Sequence, residues 1–216
     1  MGLFRDVTGS QRRGMAGMSN ADRRNGLRCD VAVTPTAGES ASVQPHAEWR
    51  HCLSEGGRDL QLQALAEIGR DSNVLGISDL VIRLAGSRDD SVRAAAAQVL
   101  ESSIRPSLVE LPGLIALLAD RSDGEISYWA ATLLGRLGKE AVEATPALCD
   151  CLTSSSFLPA RERAVLALHS IGSAASDSIL TLSAVSEVAP ARLRQLCRDA
   201  MNEIEADAGM GSQRAA

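Results

Sequence analysis

The stretch ISYWAATLLGRLG at residues 126–138 returns in altered wording as ARERAVLALHSIG at 160–172. Anchoring on the residue that closes each such segment gives Gly69, Ile104, Gly138, Gly172 and Glu205, with spacings of 35, 34, 34 and 33 residues. A steady period in this range specifies a solenoid, in which each repeat is one supersecondary unit stacked on the next.

Counting back from each anchor shows that the match goes beyond composition. Four residues back stand Leu65, Leu100, Leu134, Leu168 and Met201; five back stand Ala64, Val99, Leu133, Ala167 and Ala200; eight back stand Gln61, Ala96, Ala130, Ala164 and Cys197. Together with the positions one and twelve back, these trace a single helical stripe. A second series precedes it. Leu80, Leu114 and Leu148 are 34 residues apart, each followed one turn later by Leu84, Leu118 or Leu152, and Pro112 and Pro146 stand just before these helices proceed, where a missing N–H costs least. The polar turns between the two helices, such as SRDDS and RSDGE, supply Asp and Ser for N-caps and are too short for anything but antiparallel neighbours.

The repeated helical hairpin resembles the HEAT repeat family, in particular the short HEAT-like repeats associated with phycobilisome lyases. The residues that carry the resemblance are VRAAAAQVLESSI (92–104), ISYWAATLLGRLG, ARERAVLALHSIG and LRQLCRDAMNEIE (193–205), with the Pro-x-Leu helix starts. It implies an all-α, right-handed α-α superhelix of about five hairpins over residues 44–206. The first repeat is atypical, since Trp49 and Leu53 miss the Leu80 register, as expected of a terminal repeat with one face in water.

Residues 1–43 mix Gly, Ser, Asn, Arg and Thr without apolar periodicity and are expected to be disordered, with Met15 and Met18 as candidate later starts; residues 207–216 are expected to form a flexible C-terminal tail. Hydrophobic residues make up 45% of the chain but aromatics only 2%, so the core must be built from Ala, Leu, Val and Ile. The formal charge of −5 divides into +2 on residues 1–43 and −7 on residues 44–206. An acidic body is a poor partner for a phosphate backbone. No apolar run of about 18 residues stands out as a membrane span, and the N-terminus has neither a secretory apolar centre nor the myristoylation pattern. A cytoplasmic protein is expected, its five cysteines (29, 52, 149, 151, 197) reading as reduced thiols.

Candidate chemistry is sparse. An Arg recurs eleven residues before the anchor, as Arg58, Arg93, Arg161 and Arg194, with Ser127 as the exception. By resemblance to other HEAT-like repeats, these would meet a turn carboxylate of a neighbouring repeat, here Asp89, Asp90 or Asp123. The CDC of Cys149 and Cys151 points its thiols about 200° apart on a helix, so the pair cannot chelate one metal. His46, His51 and Cys52 lack converging spacing. HEAT-like deoxyhypusine hydroxylases bind iron through His-Glu dipeptides, and the chain contains none. Nor does it contain a P-loop, a dinucleotide fingerprint or a nucleophile elbow. No catalytic residue, metal or cofactor is expected.

What remains is surface. The resemblance implies that second helices line the concave side, where positions ten, six, three and two before the anchor face outward. The resulting set includes Gln98, Glu101, Tyr128, Thr132, Arg136, Glu162, Leu166 and His169. Its mixed charge around Tyr128 and Leu166 suits an unidentified protein partner better than nucleic acid. Tyr128, Arg136, Glu162, His169 and Glu101 are therefore the candidate partner-binding residues of a protein-interaction or scaffolding module. Two other functions stay open: a chromophore-lyase-like or lyase-accessory protein, and a DNA-binding repair protein resembling the alkylpurine glycosylases, the latter disfavoured by the acidic body.

Overall fold

Side-chain oxygens and prolines mark where the helices begin. Asp89 accepts from the backbone N–H groups of Ser91 and Val92 at 2.9 and 3.0 Å, and Asp123 from that of Glu125 at 2.8 Å. Pro stands in the first turn of three further helices, where no intrahelical donor is lost. The computed structural model describes residues 45–71, 76–120 and 123–214. They form five helical hairpins: α1 (Pro45–Glu55) with α2 (Arg58–Ile68), α3 (Ser78–Ala85) with α4 (Asp90–Ser102), α5 (Leu111–Ala119) with α6 (Gly124–Leu137), α7 (Thr145–Ser154) with α8 (Leu158–Ile171), and α9 (Ile179–Val188) with α10 (Ala191–Arg214). No β-strand occurs among the described residues, and the fold is an all-α HEAT-like solenoid. The chain divides into Met1–Ser42 and Val43–Ala216; the expected N-terminal tail lies outside the described residues.

The stripe read from the second helices is the core. Leu65, Leu100, Leu134 and Leu168 are buried, as are Ala96, Ala130, Ala164 and Cys197. Each fully buried Leu contributes roughly 1.5–3 kcal/mol relative to exposure, and the small residues between them let the helices approach. In the first helices Leu114, Leu118, Leu148 and Leu152 are buried. In α3, however, Val81 and Ala85 take those places and Leu80 and Leu84 are only half-buried. The expected register there is off by one residue, although the turns from α3 to α4 (residues 86–89) and from α5 to α6 (residues 120–123) are equal in length.

Two anchors demand glycine. Gly138 and Gly172, which close α6 and α8, have φ of 59° and 71°, a backbone region that L side chains rarely adopt. From each, a turn of 3-10 helix (Gly138–Ala144 and Gly172–Ser178) leads into the next repeat. The second of these also breaks the apolar stretch Leu158–Val188, which by length and hydropathy alone could cross a membrane, into the separate helices α8 and α9.

The arginines eleven residues before the anchor behave differently from expectation. Only Arg58 meets a carboxylate of the neighbouring repeat, Asp89 at 2.9 Å. Arg93 pairs with Asp90 of its own helix and donates to Ser87 O, while Arg161 donates to Leu152 O at 2.7 Å and Arg194 to Ala189 O at 3.2 Å, these carbonyls all lying near the end of the first helix of the same hairpin. Ser127, the exception in sequence, reaches Asp120 O at 3.5 Å. The last carbonyls of a helix have no intrahelical donor and carry the negative end of its dipole, so a guanidinium there serves as a C-cap.

Other side chains join consecutive repeats. Ser103 Oγ donates to Gly69 O at 3.3 Å. Glu110 accepts from Ser78 N at 3.0 Å and from Ser107 N and Oγ at 2.9 and 3.0 Å, so a carboxylate of the third repeat caps the start of α3. Burial raises the Glu110 pKa, but the hydrogen bonds from Ser78 and Ser107 outweigh it and hold the carboxyl below its ordinary value. At the C-terminal end Asp207 accepts from Ser173 N and Oγ at 3.3 and 3.1 Å and pairs with Lys139 at 3.2 Å. The expected boundary after Ala206 is therefore misplaced: α10 runs on to Arg214, and Asp207 belongs to the stack. No Pro or Gly interrupts the helix before that pairing, and the contacts of Asp207 secure the turn where the chain leaves Gly172.

Second helices do not stack evenly. α2 packs on α4, α6 on α8 and α8 on α10, whereas α4 and α6 barely meet, and α3 packs on α6 instead. α6 and α8 come so close that a Cβ on Gly135 would lie 3.2 Å from Ala167 Cα. The residue nine before the anchor is the buried Trp129 in α6, where α4 carries Ala95.

Two outcomes test this architecture. Ala164→Asp should unfold the stack or cost several kcal/mol, since it places an unpaired carboxylate in a fully buried site, while Glu162→Ala should change stability by no more than about 1 kcal/mol, the range of a surface ion pair; equal melting temperatures would refute the register. Glu110→Gln should destabilise by about 1–3 kcal/mol at neutral pH, because its amide N–H₂ cannot accept the Ser107 donors. The Glu110 pKa is depressed on folding, so its contribution is present above the ordinary value of 4.5 and lost as the pH falls through the folded pKa. Urea melts of both proteins should therefore converge in acid; a gap independent of pH would exclude the ionised carboxylate as its source.

Candidate binding surface

Where α4 and α6 separate, the structure has a cavity of about 270 Å³, lined by Glu101 of α4, by Tyr128, Trp129, Thr132, Gly135 and Arg136 of α6, and by Arg163, Leu166 and Ser170 of α8. The helical period explains the lining: on α6, residues 128, 132 and 135/136 follow one another at three- and four-residue steps along one face. The close approach of α6 and α8 at Gly135 brings the side chains of α8 into the same pocket.

Its side chains are held in place. Arg136 Nη1 donates to Leu100 O and Ile104 O at 2.5 and 3.0 Å, and Nη2 to Glu101 O at 3.2 Å. One guanidinium thus caps the end of α4 from the next repeat and spans the gap that the backbones leave. Arg163 Nη2 donates to Tyr128 Oη at 2.9 Å, and its guanidinium carbon lies 5.0 Å from the Tyr128 ring centroid. Tyr128 and Trp129 meet edge to face with centroids 5.0 Å apart. These contacts fix the aromatic rings and both arginine heads before any partner arrives.

The local charge is positive although the body is acidic. Burial lowers the pKa of Arg136, Arg163 and Arg105 push it the same way, and Glu101 opposes them. Arginine stays charged through shifts of this kind, so two arginines line the site against one carboxylate, with the charge of Arg105 acting on Arg136 from nearby. Arg105 is exposed and makes no hydrogen bond or ion pair among the described residues.

Of the five residues singled out from the sequence, the pocket gathers Glu101, Tyr128 and Arg136. Glu162 lies outside it, with a side chain only 16% exposed and paired to Arg192 of the next repeat at 3.1 Å. His169 is exposed on α8 and does not line the cavity. Sequence reasoning missed Arg163 and Arg105. A signal for Arg163 existed: nine residues before the anchor the other repeats carry Leu60, Ala95, Trp129 and Leu196, and only this repeat places a charge there.

The thiols offer little chemistry. Cys52, Cys151 and Cys197 are buried and Cys149 is half-buried. Burial raises the pKa of Cys149 and pushes that of Cys197 up to about 11, so both stay protonated at neutral pH. Among the described residues, no group of three or more His, Cys, Asp or Glu could hold a metal ion.

Residues 111–202, which contain α5 to α9 and the first half of α10, match the family model for HEAT repeats. This part of the chain belongs to the HEAT repeat family. The match is to HEAT repeats at large, without the phycobilisome-lyase detail. No curated protein and no solved structure matches the chain. The HEAT match begins at Leu111, just beyond the hairpin whose α4 stands away from α6.

Arg136→Met keeps the length of the aliphatic stem but removes the donors to three carbonyls. It should cost about 1–3 kcal/mol and raise amide hydrogen exchange in α5, α6 and the end of α4. Unaltered exchange at the end of α4 would show that the gap is held by something other than this side chain.

Proposed function

We propose that the HEAT repeats serve as a protein-interaction or scaffolding module whose partner seats on the concave surface around Glu101, Tyr128 and Arg136. HEAT repeats in general mediate protein–protein interaction. The observation that carries the reading here is the cavity between α4, α6 and α8, with its aromatic ring and arginines held by hydrogen bonds before binding. Fixed Tyr and Arg side chains beside an exposed Leu166 are the residue types that most often dominate interfaces, and their ordering entropy is already spent. Exposed side chains on the same face, His169 among them, would form the rim. The buried or protonated thiols give a lyase-like activity less support than binding. A cytoplasmic setting accords with the lack of a disulfide among the described cysteines.

The test is affinity capture from the source organism with the whole chain as bait, followed by measured affinities for the partner obtained. Tyr128→Ala and Leu166→Asp should each weaken binding by about 1 kcal/mol or more with helicity retained, and Leu180→Asp, on an exposed position of the first-helix layer, should leave it unchanged. If both pocket variants fold and bind as well as the native chain, the partner surface lies elsewhere.

A further inference from the structure

The pocket has a charge that its own residues do not neutralise. Arg136 and Arg163 both line it, Arg105 follows directly on Ile104, whose carbonyl Arg136 holds, and Glu101 is the single carboxylate among the lining residues. Arg136 spends Nη1 and Nη2 on carbonyls, and Arg163 spends Nη2 on the Tyr128 hydroxyl, which leaves Arg163 Nη1 and Nε and the whole guanidinium of Arg105 without a protein acceptor among the described residues. Like charges brought together in a partly buried site repel. The depression of the Arg136 pKa by Arg163 and Arg105 reflects that repulsion. An anion placed between them reverses its sign.

Size narrows the occupant. At about 270 Å³ the cavity stands at the low end of the sizes that hold drug-sized ligands, about 300–1,000 Å³, and suits a side chain entering from outside. The lining adds apolar contact on one flank, from Leu166 and the ring of Trp129. Around it the body of the protein is acidic, −7 over residues 44–206, which disfavours an extended polyanion such as nucleic acid while tolerating a short anion at a local basic spot.

We propose that this pocket recognises a carboxylate side chain on an acidic, leucine-containing segment of the protein partner, the carboxylate accepting from Arg163 with Arg105 guarding the approach and the apolar neighbour resting on Leu166. The proposal rests on the interaction reading above and adds the chemistry of the partner. Arg163 is the central donor, Tyr128 positions it, and Glu101 opposes acidic ligands and so tunes selectivity.

The experiment uses the full chain and a short fluorescein-labelled peptide of Glu and Leu, with the Gln-for-Glu peptide as its neutral counterpart, read by fluorescence anisotropy at low and at physiological salt. The acidic peptide should bind at least about tenfold more tightly than the neutral one, and Arg163→Gln and Arg105→Glu should each remove most of that difference. Glu101→Gln should strengthen binding by about threefold or more. Arg105 is exposed and outside the core, so Arg105→Glu reports on recognition even if Arg163→Gln proves unstable. Equal binding of the two peptides, absence of binding, or indifference to both arginine substitutions overturns the proposal. So does displacement of the peptide by a single-stranded oligonucleotide through the same arginines, which would make the site one for phosphate. If native-partner binding falls with Tyr128→Ala while the acidic peptide is ignored, the module reading survives and only the chemistry assigned to the pocket fails.

Discussion

No hairpin in this chain can bury its own apolar stripe, and everything else in the structure follows from that dependence on neighbours. The Leu four before the anchor is buried in each of the first four repeats, so spacing between second helices fixes both stability and the shape of the surface. Small residues give close spacing, as at Gly135 and Ala167, whereas the step from α4 to α6, where α6 carries the buried Trp129, is wide. In a sequence with 2% aromatics, placing Tyr128 beside Trp129 in one turn concentrates the chain's bulk at a single junction, and that junction is where the cavity opens.

Arginine, nearly the sole basic residue type, serves three physical purposes. Arg93, Arg161 and Arg194 terminate the first helix of their own hairpin; Arg58 and Arg136 tie one repeat to the next; Arg105 and Arg163 leave positive charge directed outward. Net charge describes none of these. A body at −7 nevertheless holds a site dominated by cations, because the two arginines that line it are immobilised by neutral partners, carbonyls and a phenol, that fix position without cancelling charge.

The second helices were legible in the sequence because the same burial recurs every 34 residues and leaves the same small or aliphatic choices at each position. The register of α3 differs by one residue from its reading in the sequence, because LVIRL offers an apolar stripe in either register. The recurring arginines stood out, but their acceptors are backbone carbonyls, which no residue type announces. For the surface, outward positions led to Glu101, Tyr128 and Arg136. They also led to Glu162, which Arg192 occupies, and passed over Arg163, whose position is apolar or small in every other repeat.

The separation of α4 from α6 has a mechanical meaning. Elsewhere consecutive second helices interlock along their length, and a bend there would have to break packing across a whole helix face. Here the second-helix layers are linked by one guanidinium on three carbonyls, so the stack is expected to be most compliant at this joint, between residues 45–104 and the HEAT match that starts at Leu111. An occupant drawn in by Arg163 would enter the joint itself and alter its stiffness, turning occupancy of a small pocket into a change in the curvature of the superhelix.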